Sequence, residues 1–245
     1  MNAIETNEWS RGFAALGKEL PRPKAVLAVS AHWYLEGTFA TADQRPRTIH
    51  DFGGFPQALY RIEYPAPGDP DLARRVVALI GAHRASSSTA WGIDHGTWTV
   101  LVHLLPAADC PVVQVSIDER LSGAEHLATG RALAPLRDEG VLIMGSGNMV
   151  HNLGHAFSAW RRGDLRTPEW AAEFDHGAAA ALQNHDTDHL IQALSSPTGR
   201  MAHPTPEHYV PLLYTAGAGS AGEPVRFANV GFDMGSLSMR AVIIG

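Results

Sequence analysis

The chain has 245 residues, 45% of them hydrophobic and 18% charged, which is the make-up of a folded globular protein and not of a disordered one. Its 19 basic and 25 acidic residues leave a formal charge of −6, which argues against a general nucleic-acid binder, since that would need a basic surface. The single cysteine, Cys110, excludes an intrachain disulfide framework and a cysteine-based zinc cluster, so any metal must be held by histidine and carboxylate.

Taken in chain order, Glu8–Leu20 reads as a helix that stops before Pro21, and Lys24–Ser30 as a short apolar strand. The Pro-rich stretch Tyr64–Pro70 reads as an extended connector. It leads into Asp71–His83, where Leu72, Val76, Val77, Leu79 and Ile80 recur at helical spacing. Thr97–Leu105 is a helix ended by Pro106, and Val112–Ile117 is a β-branched strand. Ser122–Arg137 is a helix opened by a Ser122/Glu125 capping box, and Val141–Gly145 is another buried strand. Pro168–Leu182 and Thr187–Leu194 are helical, Ala216–Gly222 is a flexible surface loop, and Met239–Ile244 is a final apolar strand. Short apolar strands alternating with amphipathic helices imply a single α/β domain over residues 1–245. Its central sheet is expected to be largely parallel or mixed, with helices on both faces. No apolar run approaches the ~20 residues of a membrane span. The opening MNAIETNEWSRG lacks the basic-then-apolar pattern of a secretory signal, so a cytoplasmic location is expected.

In such folds ligands bind beyond the strand ends. Ser30-Ala31-His32-Trp33 follows one strand there, and Gly145-Ser146-Gly147-Asn148-Met149-Val150-His151-Asn152 follows another. Trp91-Gly92-Ile93-Asp94-His95-Gly96 precedes a helix, and Thr205-Pro206-Glu207-His208-Tyr209 precedes the apolar run Val210–Leu213. Glycine lets the backbone turn tightly near a ligand, and neutral histidine is a metal ligand or proton carrier. With 13 histidines and one cysteine, the composition suits a histidine metal site or acid–base chemistry. There is no Walker loop and no HExxH, and Ser146 lacks a nucleophile elbow because position 144 is Met and 148 is Asn. His185 and His189 lie in a polar, solvated stretch, His103 reads as a partly buried core residue, and Trp91, Trp98 and Trp160 read as packing residues, with pocket lining as the alternative.

Seven strings occur in order: SAHW (Ser30–Trp33), TIHDFGGFP (Thr48–Pro56), YPAPG (Tyr64–Gly68), WGIDHGTW (Trp91–Trp98), SGNMVHNL (Ser146–Leu153), PTPEHYVPLLY (Pro204–Tyr214) and MGSLSM (Met234–Met239). Together they resemble the class III extradiol ring-cleavage dioxygenases of the 4,5-DOPA dioxygenase type, over almost the whole chain. The resemblance implies a mononuclear metal, iron(II) as the catalytic ion with zinc(II) also carried by members, and opening of the ring of a catechol such as DOPA with O₂. His32 and His208 match metal-ligand positions. His151 matches a histidine close to the metal, either a further ligand or the catalytic acid–base. His95 matches a pocket histidine that meets the substrate and is the second candidate for acid–base work, with Asp94 as its orienting partner. His50 and Asp51 fall in a motif near the pocket mouth, with His50 a candidate substrate contact. Enzymes of this size often dimerise, so a homodimer is one possible assembly, but no heptad or zipper pattern in the sequence marks an interface.

Members of that family usually begin with an apolar strand and a Gly-His-Gly-Ser-Pro segment whose histidine is a metal ligand, and this sequence starts where that segment would end. Three readings follow: a start assigned to an internal Met, a substitute ligand from His151 or His50, or a degraded site. The first is favoured because every downstream motif is intact. From other classes, a zinc-dependent hydrolase or an inactive metal-binding relic remain as alternatives.

Overall fold

The computed structural model describes residues 2–245. The elements run α1 (Glu8–Glu19), β1 (Ala25–Leu35), β2 (Thr38–Thr41), α2 (Pro70–Ile80), β3 (Ala85–Ser88), α3 (His95–Leu104), β4 (Val112–Asp118), α4 (Gly123–Leu133), α5 (Pro135–Asp138) and β5 (Val141–Ser146). They continue with α6 (Leu153–Arg162), α7 (Glu169–Gln183), α8 (Thr187–Gln192), α9 (Pro197–Ala202), α10 (Val210–Ala218), β6 (Val225–Ala228), β7 (Phe232–Asp233), β8 (Leu237–Ser238) and β9 (Ala241–Ile244). Two compact units result: Met1–Arg120 with Ala132–Ser146, and Leu121–Arg131 with Gly147–Gly245.

The first unit is built on a five-stranded sheet of order β3-β2-β4-β1-β5. β1 pairs in parallel with β4 and β5, and β2 with β3, while the single Ala40↔Val115 bridge makes β2 antiparallel to β4. The fold is therefore α/β with a mixed sheet, as the alternation of elements predicts. Every residue of β4 is buried, and so are Ala25–Ala31 of β1. Successive side chains of a strand point to opposite faces, so both faces of the sheet centre are covered. β5 is different: it is an edge strand whose Leu142, Ile143 and Met144 are only half-buried, so the expectation of a fully buried strand there is corrected. β2 and β3 escape the sequence reading because Thr38–Thr41 and Ala85–Ser88 show no apolar run.

The second unit packs helices around a core that includes Leu127, Met149, Val150, Phe174, Leu182, Leu190, Tyr209 and Leu213. The Ser122/Glu125 capping box is present: the Glu125 carboxylate accepts from the Ser122 main chain at 2.7 Å, and the Glu125 N–H donates to Ser122 Oγ at 3.3 Å. The helix it opens stops at Leu133, not Arg137. Pro135 cannot continue the hydrogen-bond ladder and instead opens the short α5. The loop expected over Ala216–Gly222 is helical as far as Ala218. Its small residues serve a close helix crossing: a Cβ on Gly217 would meet the Leu127 carbonyl oxygen at 2.2 Å, and one on Gly130 the Tyr214 carbonyl oxygen at 2.2 Å. The final strand forms a two-stranded antiparallel ribbon with β6, starting at Ala241 instead of Met239. Trp160 does not pack as expected but is 62% exposed. No helix among the described residues is long and apolar enough to cross a membrane.

Candidate metal centre

His32 owes its position to an irregularity in β1. The strand pairs with β5 up to Ser30↔Ser146, and its register with β4 shifts between Val29 and Tyr34. Such a bulge re-aims side chains that strict alternation would fix. Trp33, next to it, is buried and stacks on Trp91 at 5.7 Å between ring centroids. The His32 side chain keeps about a quarter of its surface exposed (26%). Gly96 lies against it: a Cβ there would come within 2.5 Å of Ser30 Oγ and 2.7 Å of His32 Cδ2, so only glycine fits without displacing them.

The helix α3 opens on the DHG triplet. Asp94 is its N-cap and is fully buried. Its Oδ1 accepts from Ser30 Oγ (2.8 Å) and the Thr97 N–H (3.1 Å), and its Oδ2 from Gln114 Nε2 (2.5 Å) and Trp91 Nε1 (3.3 Å). With all four acceptor positions engaged, Asp94 ties α3, β1 and β4 together and does not orient the His95 imidazole, contrary to the role expected for it.

Asp51 stands in that place. Its Oδ1 accepts the main-chain N–H of His95 at 2.9 Å, and lies 3.0 Å from His95 Nδ1 but off the line a hydrogen bond needs. Its Oδ2 lies 3.3 Å from His32 Nδ1. The two imidazoles are tilted against each other, with 3.9 Å between centroids and 52° between planes. Burial pushes the Asp51 carboxyl upward, but the close imidazole and main-chain N–H of His95, with the charge of His32, together hold it below the usual carboxylate range. One ligand atom from each of His32, Asp51 and His95 falls within 4.8 Å of the others. Two imidazoles and a carboxylate form a borderline donor set that suits zinc or non-haem iron, and a buried His95 nitrogen without an aligned partner suits a site for a cation. The residues present therefore fit a divalent metal. The sequence signal for Asp51 is an acid set between His50 and Phe52 in the TIHDFGGFP string.

His95 also borders a cavity of about 210 Å³, walled by Phe52, Phe55, Leu59 and Trp98. Phe52 meets His95 edge-on at 5.1 Å, and Trp98 is held by a 2.8 Å bond from its Nε1 to the Ile49 carbonyl. His50 packs behind this wall, 5.6 Å from Trp98 and 5.8 Å from Phe52, with its Nε2 2.9 Å from the Ile62 carbonyl oxygen.

The second unit brings His151 and His208 together. Their rings are stacked nearly parallel, 3.5 Å apart at a 10° angle. Backbone pairing holds each: the His151 N–H donates to the Ala202 carbonyl at 3.0 Å, and the His208 carbonyl accepts from the Asn148 N–H at 2.9 Å. His203, which the sequence reading did not single out, supports the same segment. Its Nε2 lies 3.0 Å from the Met149 carbonyl oxygen, and burial, with the charge of His151, takes its imidazole down to about 4 against the opposing pull of that carbonyl.

The family of the catalytic LigB subunit of aromatic ring-opening dioxygenases matches residues 3–237. The chain belongs to this family. It is 48% identical over 249 residues to a 4,5-DOPA dioxygenase extradiol of Escherichia coli (strain K12), covering 100% of this chain and 91% of that protein. A 4,5-DOPA dioxygenase extradiol of Beta vulgaris is 36% identical over 245 residues, covering 97% of this chain and 90% of the relative. A crystal structure of an uncharacterized protein from Escherichia coli K12 superposes with a TM-score of 0.86 at 42% identity, covering 99% of this chain and 94% of that one. The protein is thus an enzyme of the extradiol aromatic ring-opening dioxygenase class, and the fold is the family's.

Proposed function

We propose that the protein opens the ring of a catechol, DOPA or a related 3,4-dihydroxyphenyl compound, with dioxygen and with a divalent metal at the histidine centre. The observation that carries this reading is the His32–Asp51–His95 cluster, whose His95 also borders a cavity with an aromatic wall. A cavity of ~150 Å³ admits benzene, so one of about 210 Å³ has room for a substituted ring. The donor set suits iron(II) or zinc(II). Bound there, either would activate a phenolic oxygen as a Lewis acid, and iron would add the one-electron chemistry that dioxygen requires.

The residue roles follow the motif matches. In the first unit His32 is a metal ligand, and His95, with His50 backing the aromatic wall, is on the substrate side. In the second unit His208 is a metal ligand, and His151 is either a further ligand or the acid–base group. As acid–base, the His151 imidazole takes the proton of the second catechol hydroxyl and later returns a proton to oxygen. Phe52 and Trp98 hold the ring plane and keep water off it.

The test is oxygen uptake after anaerobic reconstitution with iron(II), using L-DOPA or caffeate as substrate. Uptake matched by a yellow ring-opened product supports the reading. Metal-dependent hydrolysis without uptake, or binding with no turnover, overturns it. Within the same assay Phe52→Ala should raise KM by roughly 10-fold, the equivalent of about 1.4 kcal/mol of lost ring contact, and leave kcat within a few-fold. An unchanged KM would remove Phe52 from the substrate wall. Gly96→Ala should displace His32 and weaken zinc binding by about 10–100-fold, the loss typical of a disturbed supporting shell. Competition with a chromophoric chelator reads this directly, and unaltered affinity would show that the site absorbs the added methyl.

A further inference from the structure

We infer that Asn2 reads the side chain of the substrate: its amide N–H₂ donates to an acceptor oxygen there, a carboxylate above all. The inference rests on the reading of the cavity beside His95 as the catechol pocket, and its test separates the two. Elimination points to Asn2. Four side chains lining that cavity can donate a hydrogen bond: Asn2, His95, Trp98 and Thr99. Trp98 Nε1 is committed to the Ile49 carbonyl at 2.8 Å, and Thr99 Oγ1 donates to the His95 carbonyl at 2.6 Å. His95 belongs to the cluster with His32 and Asp51. That leaves Asn2, and its neighbours fix which amide atom stays available. The Ser10 N–H donates to Asn7 Oδ1 at 2.9 Å, so Asn7 turns its own N–H₂ the other way. That Nδ2 donates to Asn2 Oδ1 at 2.7 Å, which engages the oxygen end of the Asn2 amide. His103 Nε2, in the last turn of α3, lies 2.8 Å from the Asn2 main-chain oxygen and pins the backbone. Among the described residues, nothing accepts from Asn2 Nδ2.

The donor is thus held in advance by the N-cap of α1 and the end of α3, so a ligand spends little ordering it. An amide N–H₂ bonds a carboxylate or carbonyl oxygen and offers nothing to an alkyl group, and a charged acceptor makes the stronger bond. A catechol with a carboxylate on its side chain is therefore preferred to one with a methyl group.

The test is equilibrium binding of caffeate and of 4-methylcatechol, without oxygen, to the zinc-loaded full chain. Asn2→Ala removes the donor and should lower the preference for caffeate by roughly 10-fold. Asn2→Asp keeps the acceptor that Asn7 uses but sets an anionic oxygen in place of the N–H₂, and should lower it further, because like charges repel. In the wild-type protein the Asn2 side-chain ¹H–¹⁵N signals, assigned by triple-resonance spectra, should move downfield with caffeate and hold their place with 4-methylcatechol. This readout needs no variant, so it decides the matter even if neither substitution folds. Both catechols bound with an unchanged preference in the variants would overturn the inference and leave the pocket reading standing. So would Asn2 amide signals that ignore bound caffeate. A wild-type protein that binds neither catechol would overturn the pocket reading and the inference with it.

Discussion

Alanine in place of His32 should strip the protein of metal and of turnover together. The side chain is partly exposed and stands on a bulge, so its removal leaves no buried donor behind and no cavity in the sheet. The far-ultraviolet spectrum should be unchanged. Zinc or iron(II) binding measured by calorimetry should drop well beyond the ~10–100-fold typical of a residue acting through a ligand, and ring opening should fall below detection. His208→Ala is expected to behave alike. Stoichiometric binding retained in either variant would refute that residue's place among the ligands. His151→Ala separates its two roles: loss of turnover with metal retained marks the acid–base, and loss of both marks a ligand.

The largest effect on stability should come from Arg240. Its guanidinium bonds Asp175 through Nε at 3.0 Å and Nη2 at 2.5 Å, Ser238 Oγ donates to the same carboxylate at 2.6 Å, and the two charged side chains are only 7% and 3% exposed. The guanidinium also lies 4.8 Å from the centroid of the Phe227 ring. Removing one partner of a buried ion pair strands the other in a low-dielectric setting. Arg240→Ala should therefore cost about 3–5 kcal/mol. For a chain of this length that is a fall of roughly 6–20 °C in the thermal midpoint, read by scanning calorimetry. Replacing both partners, Asp175→Leu with Arg240→Met, should recover most of the loss, because neither charge is then left buried. A fall of under about 1 kcal/mol in the single variant would show that water reaches the carboxylate.

The sequence carried the sheet centre well, for a physical reason. Val112–Asp118 and the start of β1 are buried on both faces, so they must be apolar and β-branched throughout, and that signal is local. The edges were not legible: Ser86, Ser87 and Ser88 in β3 are held by backbone pairing to Phe39, Ala40 and Thr41, with no side-chain pattern to announce it. α6 was missed because Leu153, Phe157 and Trp160 face solvent rather than a core. At the site, the histidines were found by motif, but their partners were not. Asp94 precedes His95 in sequence yet turns into the helix cap, whereas Asp51 reaches the same histidine from 44 positions away. Adjacency along the chain is a poor guide to which carboxylate faces which ring, because a helix N-terminus competes for the nearest acid.

The division of labour around the cavity bears on how this enzyme could change over evolutionary time. His32 and His95 come from a sheet strand and the first turn of a helix, both tied into the core through Ser30, Asp94 and Gln114. Phe52 and Phe55 come from a stretch that forms no helix or strand, and Phe55 is 43% exposed. Substitutions in that stretch can reshape the cavity without shifting the strand register or the helix cap. Selection for a different substrate side chain therefore has a route through residues 52–58 that leaves His32 and His95 where they are. A library confined to those positions would sample substrate range at little expense to folding.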